Sequence, residues 1–328
     1  MLDTKRLPVA FPQQDDALDA QPDVCSVNAP VNNTKSDGAC GFIRDVITTN
    51  NRVDLKIHQF TTFISFGLTS KIDVSLAIPI DNLRMAVSSD ATIINNSASR
   101  VHIFPERLPD CPDPCRHSVF SNVRNVAGVG DLIFRVKGTA WKGERAALAL
   151  GADLRVPTGD QLNFLGSGAF GVKPFIVWSY RYRISPHIFV GYETNGNSVL
   201  AGDVSTGKKD RLPSQLAYSA GADVWLTKWL SSTVDFVGQQ VFQVRRTTLG
   251  TFHELGACQD SNCFTFDAPK TDATLLESTA TYNSTNISAG LRVKLFNRAL
   301  ISGNVLVKLN DGGLRPKFVP LLGISYAF

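Results

Sequence analysis

The sequence predicts an all-β protein, namely an antiparallel transmembrane β-barrel with eleven strands in this chain and twelve in its full-length parent. Three observations support this fold class. Apolar and polar residues alternate with a period of two along most of the chain from about residue 52, which is the pattern of a strand with one apolar face. No apolar run is long enough for a transmembrane helix. Short and long connections alternate between the strands, as in outer-membrane barrels.

Each strand is predicted from this alternation. In the fourth strand, Leu148, Leu150 and Leu154 share one face. Asp153 and Arg155 lie on the other face. The eleven predicted strands span residues 52–68, 72–87, 127–141, 145–157, 169–183, 187–196, 215–227, 229–243, 285–296, 299–309 and 316–328.

The polar faces of these strands carry charges of both signs. These charges distinguish a membrane barrel from a soluble β-protein. Charges are costly in the dry core of a soluble β-protein, whereas a water-filled lumen solvates them, so the membrane barrel is favoured. The charges either pair with one another and fill the barrel or line a path for a solute, and a twelve-strand barrel is wide enough for both. The lumen-lining candidates are Asp73, Asp131, Arg135, Lys137, Asp153, Arg155, Lys173, Arg181, Glu193, Asp223, Asp235, Arg292, Lys294, Lys308 and Lys317.

Residues 1–51 show no alternating run and are rich in Asp, Asn and Pro, so we expect an irregular outer loop there, followed by the barrel over residues 52–328. The N-terminus lacks the apolar core of a signal peptide. Bacterial single-chain barrels have an even number of strands and both ends on the periplasmic side. We therefore expect that a signal peptide and a first strand are missing from this chain.

Six cysteines lie in predicted loops as three close pairs. At an oxidising cell surface such a set favours disulfides. A metal ion at Cys111, Cys115 and His117 is the alternative, but these three residues lack the fourth ligand of a zinc site. The disulfide candidates are Cys25, Cys40, Cys111, Cys115, Cys258 and Cys263.

No sequence motif predicts a cofactor, a metal centre or a catalytic residue. The glycines of residues 166–171 match a dinucleotide fingerprint, but a strand follows where that motif requires a helix. The net charge of +4 comes without a Lys/Arg cluster, so nucleic acid binding has no support. A barrel-embedded lipid hydrolase is the enzyme alternative, yet no nucleophile motif accompanies His58 or His187. We expect a protein that is not an enzyme.

The last strand alternates in the same way and ends the chain on an aromatic residue, Phe328. This ending resembles the insertion signal of bacterial outer-membrane barrels, with Tyr326 and Phe328 as its aromatic residues. The resemblance implies that the barrel-assembly machinery recognises the last strand and that outer-membrane lipid surrounds the barrel. It places the protein in the outer membrane of a Gram-negative bacterium.

Five short motifs carry a second resemblance: residues 66–69 (FGLT), 128–131 (GVGD), 154–160 (LRVPTGD), 166–168 (GSG) and 173–174 (KP). They resemble the outer-membrane family named for the MetA pathway of phenol degradation, whose members are described as transporters. The resemblance covers about residues 50–328. It implies a passive channel, related to the long-chain fatty-acid channels, for small hydrophobic or aromatic solutes.

Two features of the loops bear on the function, the first on transport and the second on its alternative. The loop Pro157–Gly168 is rich in Gly and Pro, and we expect it to fold inward as a constriction. The large loops with cysteines would equally suit a structural or partner-binding surface barrel that transports nothing. The oligomeric state is left open by the sequence.

Overall fold

The chain is all-β over the residues that the computed structural model describes, which are 9–12, 46–94, 104, 115–204, 206–254, 270–295, 298–313 and 315–328. The strands are β1 (Val9–Pro12), β2 (Val46–Gly67), β3 (Ile72–Ile94), β4 (His117–Val129), β5 (Leu132–Lys142), β6 (Ala146–Val156), β7 (Gly171–Tyr180), β8 (Ile184–Asn195), β9 (Asn197–Asp203), β10 (Lys208–Arg211), β11 (Gln215–Trp225), β12 (Leu230–Glu254), β13 (Lys270–Leu295), β14 (Ala299–Lys308) and β15 (Phe318–Tyr326). A short 3-10 helix, Gln161–Asn163, lies between β6 and β7.

Thirteen of these strands form one sheet. Its order is β1-β2-β3-β5-β6-β7-β8-β11-β12-β13-β14-β15, with β4 paired to β3 beside this path. The strands β9 and β10 form a separate hairpin. Neighbours in the path are thus almost always consecutive in the chain, which is the topology of an antiparallel meander. The predicted all-β, antiparallel fold class is confirmed.

Two compact units make up the chain. One consists of Met1–Leu55, Met85–Arg124 and Arg246–Ser278, and the other consists of Lys56–Arg84, Asn125–Arg245 and Thr279–Phe328. All fifteen lumen-lining candidates belong to the second unit. No helix in the described part of the chain is long and apolar enough to span a membrane.

The eleven predicted strands correspond one to one with β2, β3, β5–β8 and β11–β15. The prediction of an irregular segment over residues 1–51 is wrong for residues 9–12 and 46–51, because β1 lies there and pairs with the start of β2. The predicted loops 88–126, 196–214 and 245–284 also contain strand, namely β4, β9, β10 and extensions of three longer strands. Apolar residues do occur in these strands, such as Phe120 and Val123 in β4, but they fall on both faces of the strand, so no period of two marks it.

Connection lengths alternate as the sequence predicts. The connections from β2 to β3, β5 to β6, β7 to β8, β11 to β12 and β13 to β14 have at most four residues. The connections at the opposite strand ends are longer, such as the one between β6 and β7 over residues 157–170. This is the pattern of short turns on one side and long loops on the other that outer-membrane barrels show.

The register gives the sheet one apolar face, because cross-strand partners point the same way. Leu150 pairs with Ile176, and Ile176 pairs with Val190. All three side chains are exposed, Ile176 to 51%. On β15, Leu322 and Ile324 are 91% and 81% exposed. The apolar face is therefore open to the surroundings along the sheet and is not covered by a core.

Candidate functional site: the polar face of the sheet

The opposite face of the same strands, called the polar face below, carries most of the lumen-lining candidates. Asp73 pairs in register with Lys137, and Asp153 pairs with Arg135 on one side and with Lys173 on the other. Opposite charges thus meet across neighbouring strands, where the partners are close enough to form ion pairs.

Asp153 is the centre of the first charge cluster. Its carboxylate accepts two hydrogen bonds from Arg135, Nε to Oδ1 at 2.6 Å and Nη2 to Oδ2 at 2.8 Å. Lys173 Nζ lies 3.2 Å from Oδ2. The Asp153 side chain is only 4% exposed, whereas Arg135 is 44% exposed and lies 4.9 Å from the centre of the Phe175 ring. A buried acid is thus neutralised by two cations, one of which reaches solvent.

A second cluster surrounds Arg155. Its Nη1 lies 2.8 Å from Oε1 of Glu193, and its Nε lies 3.8 Å from Oδ2 of Asp131. Nη2 donates a 2.6 Å hydrogen bond to Asn195, and the other oxygen of Glu193 accepts one from Gln215 at 2.7 Å. One arginine therefore lies between two buried acids, while Asn195 accepts a hydrogen bond from this arginine and Gln215 donates one to Glu193.

The third cluster involves His187. Its Nε2 lies 2.6 Å from Oδ1 of Asp235, and its Nδ1 lies 4.0 Å from Oδ2 of Asp223. Asp223 in turn accepts a 2.8 Å bond from Arg292, and Thr233 donates to Asp235 at 3.2 Å. Within the described residues no hydroxyl group hydrogen-bonds to the imidazole. The ring therefore lies between two carboxylates, and the nearby Thr233 hydroxyl donates to Asp235.

The remaining lumen-lining candidates form longer ion pairs, or none, on the polar face. Lys137 Nζ lies 3.5 Å from Asp73, and both side chains are about half exposed. Over the described ranges, no ion pair is recorded for Arg181, Lys294 and Lys317, all of which are exposed.

Lys308 forms its ion pair with a residue beyond the end of β14. Its Nζ donates a 2.6 Å hydrogen bond to Oδ1 of Asp311, a residue of the connection to β15. This bond and the Lys308 charge hold the pKa of the Asp311 carboxyl below its usual range, and the charge of Arg315 adds to the effect.

The connection between β6 and β7 is attached to the polar face by one acid. Asp131 accepts a hydrogen bond from Gly159 N at 3.1 Å, from Ser167 N at 2.8 Å and from the Ser167 hydroxyl. Asp160 caps the short helix in the middle of the connection. At Gly166 a Cβ would lie 2.4 Å from the Asp131 carboxylate, so only glycine permits this approach. The connection is thus fixed against the sheet at both of its ends.

Arg315 is a polar-face residue that the sequence analysis missed. It lies in the connection between β14 and β15 and donates five hydrogen bonds, to Gly312 O, Thr285 O, Asn286 Oδ1 and both oxygens of Asn310. A lone arginine between a Gly-rich turn and an apolar strand carries no periodic signal, so alternation could not identify it.

A cavity of about 280 Å³ opens on the same part of the polar face. It is formed by residues of β8, β11, β12 and β13 and by Arg315. Its lining consists of Phe189, Ala217, Tyr218, Ser219, Val237, Gly238, Gln239, Ser284, Asn286 and Arg315. None of these residues was predicted from the sequence.

Two groups of predicted sites lie outside the polar face. Cys115 is buried and disulfide-bonded, whereas Cys25, Cys40, Cys111, Cys258 and Cys263 lie outside the described residues, so their pairing stays a prediction. His117 Nε2 lies 2.8 Å from Asp90 Oδ1. No cluster of three potential metal ligands occurs in the part of the chain that the structure describes.

The aromatic residues of the last strand also lie away from the polar face. Tyr326 and Phe328 contact each other edge to face with 5.0 Å between ring centres. Both are strongly exposed. Their role as an insertion signal stays a prediction.

Comparisons with known proteins find one family model that matches part of the chain. Residues 51–198 match the family described as "Putative MetA-pathway of phenol degradation", so the resemblance predicted from the sequence motifs is confirmed over this range. Among solved structures, the chain is similar to the COG4313 outer membrane channel from Pseudomonas putida F1, with 13% identity, 86% of this chain and 84% of that chain covered, and a TM-score of 0.45. No curated protein matches the sequence.

Proposed function

We propose that the sheet forms the wall of an outer-membrane β-barrel that acts as a passive channel for small solutes. In this proposal the apolar face contacts lipid and the polar face lines a water-filled lumen. The observation that carries it is the opposite character of the two faces of the same strands. Exposed apolar residues continue from strand to strand on one face, and paired charges continue on the other.

The apolar face fits a lipid environment better than water. Leaving apolar surface in water costs about 25 cal/mol for each Å², and soluble monomers expose only small contiguous apolar patches. Here the exposed set includes Phe134 on β5, Ile176 on β7, Phe236 on β12 and Ile301 on β14. In a bilayer this surface contacts acyl chains and the penalty disappears, which favours location in the outer membrane.

The polar face fits a wet interior. Its Asp153 cluster combines a buried acid with a cation that reaches solvent, Arg135, which is 44% exposed. The pair of Lys137 and Asp73 is exposed on both sides, to 44% and 50%. A cation held in this way would be costly against lipid or in a dry core. Lining an aqueous path explains why the acids are paired while the cations stay accessible.

The β6–β7 connection would narrow this path. Its attachment to Asp131 keeps it on the polar face, where it occupies space that a solute would otherwise cross. Small hydrophobic or aromatic solutes are proposed as the cargo because residues 51–198 match the phenol-degradation family, and because a narrowed path excludes large molecules. Transport would be passive, since no step in this proposal uses a nucleotide, a metal or a redox group.

Single-channel recording tests this function. The refolded chain is inserted into planar bilayers, and discrete conductance steps are expected, with heat-denatured protein as the control. Liposomes loaded with a small aromatic solute should lose it faster when they contain the refolded chain. Absence of both conductance and accelerated release in correctly folded protein would contradict the channel.

A second candidate is a barrel that transports nothing and displays its loops to a partner. The ion-pair clusters favour it, because charges that bridge β5, β6, β7 and β8 can fill an interior as well as line one. A folded, membrane-inserted protein without conductance would be the result that selects this candidate.

A further inference from the structure

We propose that the cavity beside Phe189 is a binding subsite for a monocyclic aromatic carboxylate. The proposal rests on the function proposed above, because it requires that the polar face is open to solutes. It adds a location and a ligand class to that function. The cavity, called the Phe189 cavity below, has a volume of about 280 Å³.

The cavity exists because small residues occupy adjacent positions of the polar face. Phe189 pairs with Ser219, and Ser219 pairs with Val237. In the next row Gly191 pairs with Ala217, and Ala217 pairs with Gln239. Two rows of the sheet thus place glycine, alanine and serine side by side between larger neighbours. The depression between them is formed by the strands, and Arg315 of the β14–β15 connection completes the lining of the cavity.

One side of the Phe189 cavity suits an aromatic ring. Phe189 and Val237 offer apolar surface, and the ring of Phe189 is held by its contact with Phe175, with 5.5 Å between ring centres. A buried apolar cavity of about 150 Å³ is enough for benzene. The Phe189 cavity therefore has room for one ring with a substituent, and not for a fused polycyclic molecule with side chains.

The other side suits a carboxylate. Among the described lining residues, Arg315 is the only charged one, and every oxygen that its guanidinium bonds is an uncharged carbonyl or amide oxygen. No carboxylate is hydrogen-bonded to Arg315, although its charge also acts on Asp311. Because all five of its N–H groups are used in these bonds, Arg315 would attract a ligand carboxylate through its charge and not through a direct hydrogen bond.

Hydrogen-bond donors for the ligand come from three further side chains. Ser219, Ser284 and Gln239 line the cavity. Within the described ranges their side chains make no hydrogen bond to the protein. They contrast with Asn286, whose amide oxygen is already used by Arg315. Two hydroxyls and one amide are therefore available to donate to the oxygens of a bound carboxylate.

Equilibrium binding of benzoate to the refolded, detergent-solubilised chain tests the proposal by isothermal titration calorimetry. We expect saturable binding that weakens as ionic strength rises, because the charge attraction is screened. Benzyl alcohol, which keeps the ring and lacks the charge, should bind at least about tenfold more weakly, a difference of about 1.4 kcal/mol. Titration into protein-free micelles corrects for partition of the ligand into detergent.

A matched pair of variants locates the site. Ala217→Leu fills the cavity and should weaken benzoate binding at least about tenfold. Ala149→Leu places the same side chain on the polar face of β6, outside the cavity, and should leave the affinity unchanged. Circular dichroism of both variants confirms that each keeps its strand content. Absence of saturable binding, or equal effects of the two substitutions, would overturn the proposal.

This measurement is independent of the channel. Benzoate binding without conductance would support the proposed subsite and contradict the proposed transport function. Conductance without benzoate binding would support the proposed channel and contradict the proposed subsite.

Discussion

The apolar and polar faces of the sheet differ in side-chain chemistry although they belong to the same strands. Ile176 and Val177 are consecutive in β7, yet Ile176 lies among exposed apolar residues and Val177 lies on the face of Lys173. In a soluble β-protein, the apolar face would be buried and the charged face would contact water. Here the charged face holds the buried acids and the apolar face is open. The proposed contact with lipid on one face and with water on the other accounts for both properties of this sheet.

Placing a charge on the apolar face should destabilise the protein more than any other change considered below. Ile176→Lys near the middle of β7 should cost about 2–4 kcal/mol of unfolding free energy in lipid vesicles, because lysine is desolvated at the bilayer midplane. Urea unfolding of the vesicle-embedded protein measures this cost.

Val177→Lys is the matched control on the polar face. It should cost less than about 1 kcal/mol, because a water-filled lumen solvates the new charge. Equal costs at the two positions would contradict the assignment of lipid to one face and water to the other.

The next effect concerns the buried acid of the polar face. Asp153→Asn leaves Arg135 and Lys173 without their shared carboxylate and should lower the unfolding free energy by about 2–3 kcal/mol. Asp73→Asn breaks a half-exposed pair with Lys137 and should cost less than about 1 kcal/mol. Urea midpoints of the two variants compare them, and a larger loss for Asp73→Asn would show that burial does not govern these pairs.

A smaller effect is expected from releasing the β6–β7 connection. Asp131→Asn weakens the bonds from Gly159 and Ser167 and should cost about 1–2 kcal/mol, while raising single-channel conductance. Cleavage within residues 157–170 by added protease should become faster. Asp223→Asn also removes an acid from the polar face, but it contacts no residue of this connection and should not raise the conductance. Unchanged conductance in Asp131→Asn would contradict the proposal that this connection narrows the channel.

The smallest effect concerns Asp311, which lies outside the spanning strands. Because its pKa is depressed in the folded state, it contributes stability above its unfolded pKa, and that contribution is lost as the pH falls through the folded pKa. A carboxyl carbon titration by NMR should find the pKa of Asp311 below its usual range. Lys308→Met should raise it toward that range, and an unaltered pKa in this variant would contradict the assigned cause.

The sequence predicted what depends on periodicity and missed what depends on distant contacts. The strands from β5 to β8 alternate apolar and polar residues, so their existence and their two faces could be predicted. The hairpin β9–β10 could not, because Asn197–Asp203 and Lys208–Arg211 lack an apolar face. The sequence predicted Asp153 as a charged residue of a polar face. It could not predict the ion pairs of Asp153, since the partners depend on strand register.

The cavity and Arg315 needed the structure for a different reason. Ala217, Ser219 and Gly191 are unremarkable in the sequence and produce a depression only when the register aligns them. Arg315 reaches β13 through Thr285 and Asn286, about thirty residues earlier in the chain. No local pattern encodes either feature.

Spin-label accessibility at two consecutive positions of β14 tests the assignment of lipid and water most directly. A nitroxide is introduced at Ile301 on the apolar face and, separately, at Ser302 on the polar face, and the wild-type chain is the labelling blank. In liposomes oxygen, which concentrates in lipid, should relax the label at residue 301 more strongly. A water-soluble nickel complex should relax the label at residue 302 more strongly. Equal accessibility to both reagents at the two positions would contradict a lipid-facing and a water-facing side.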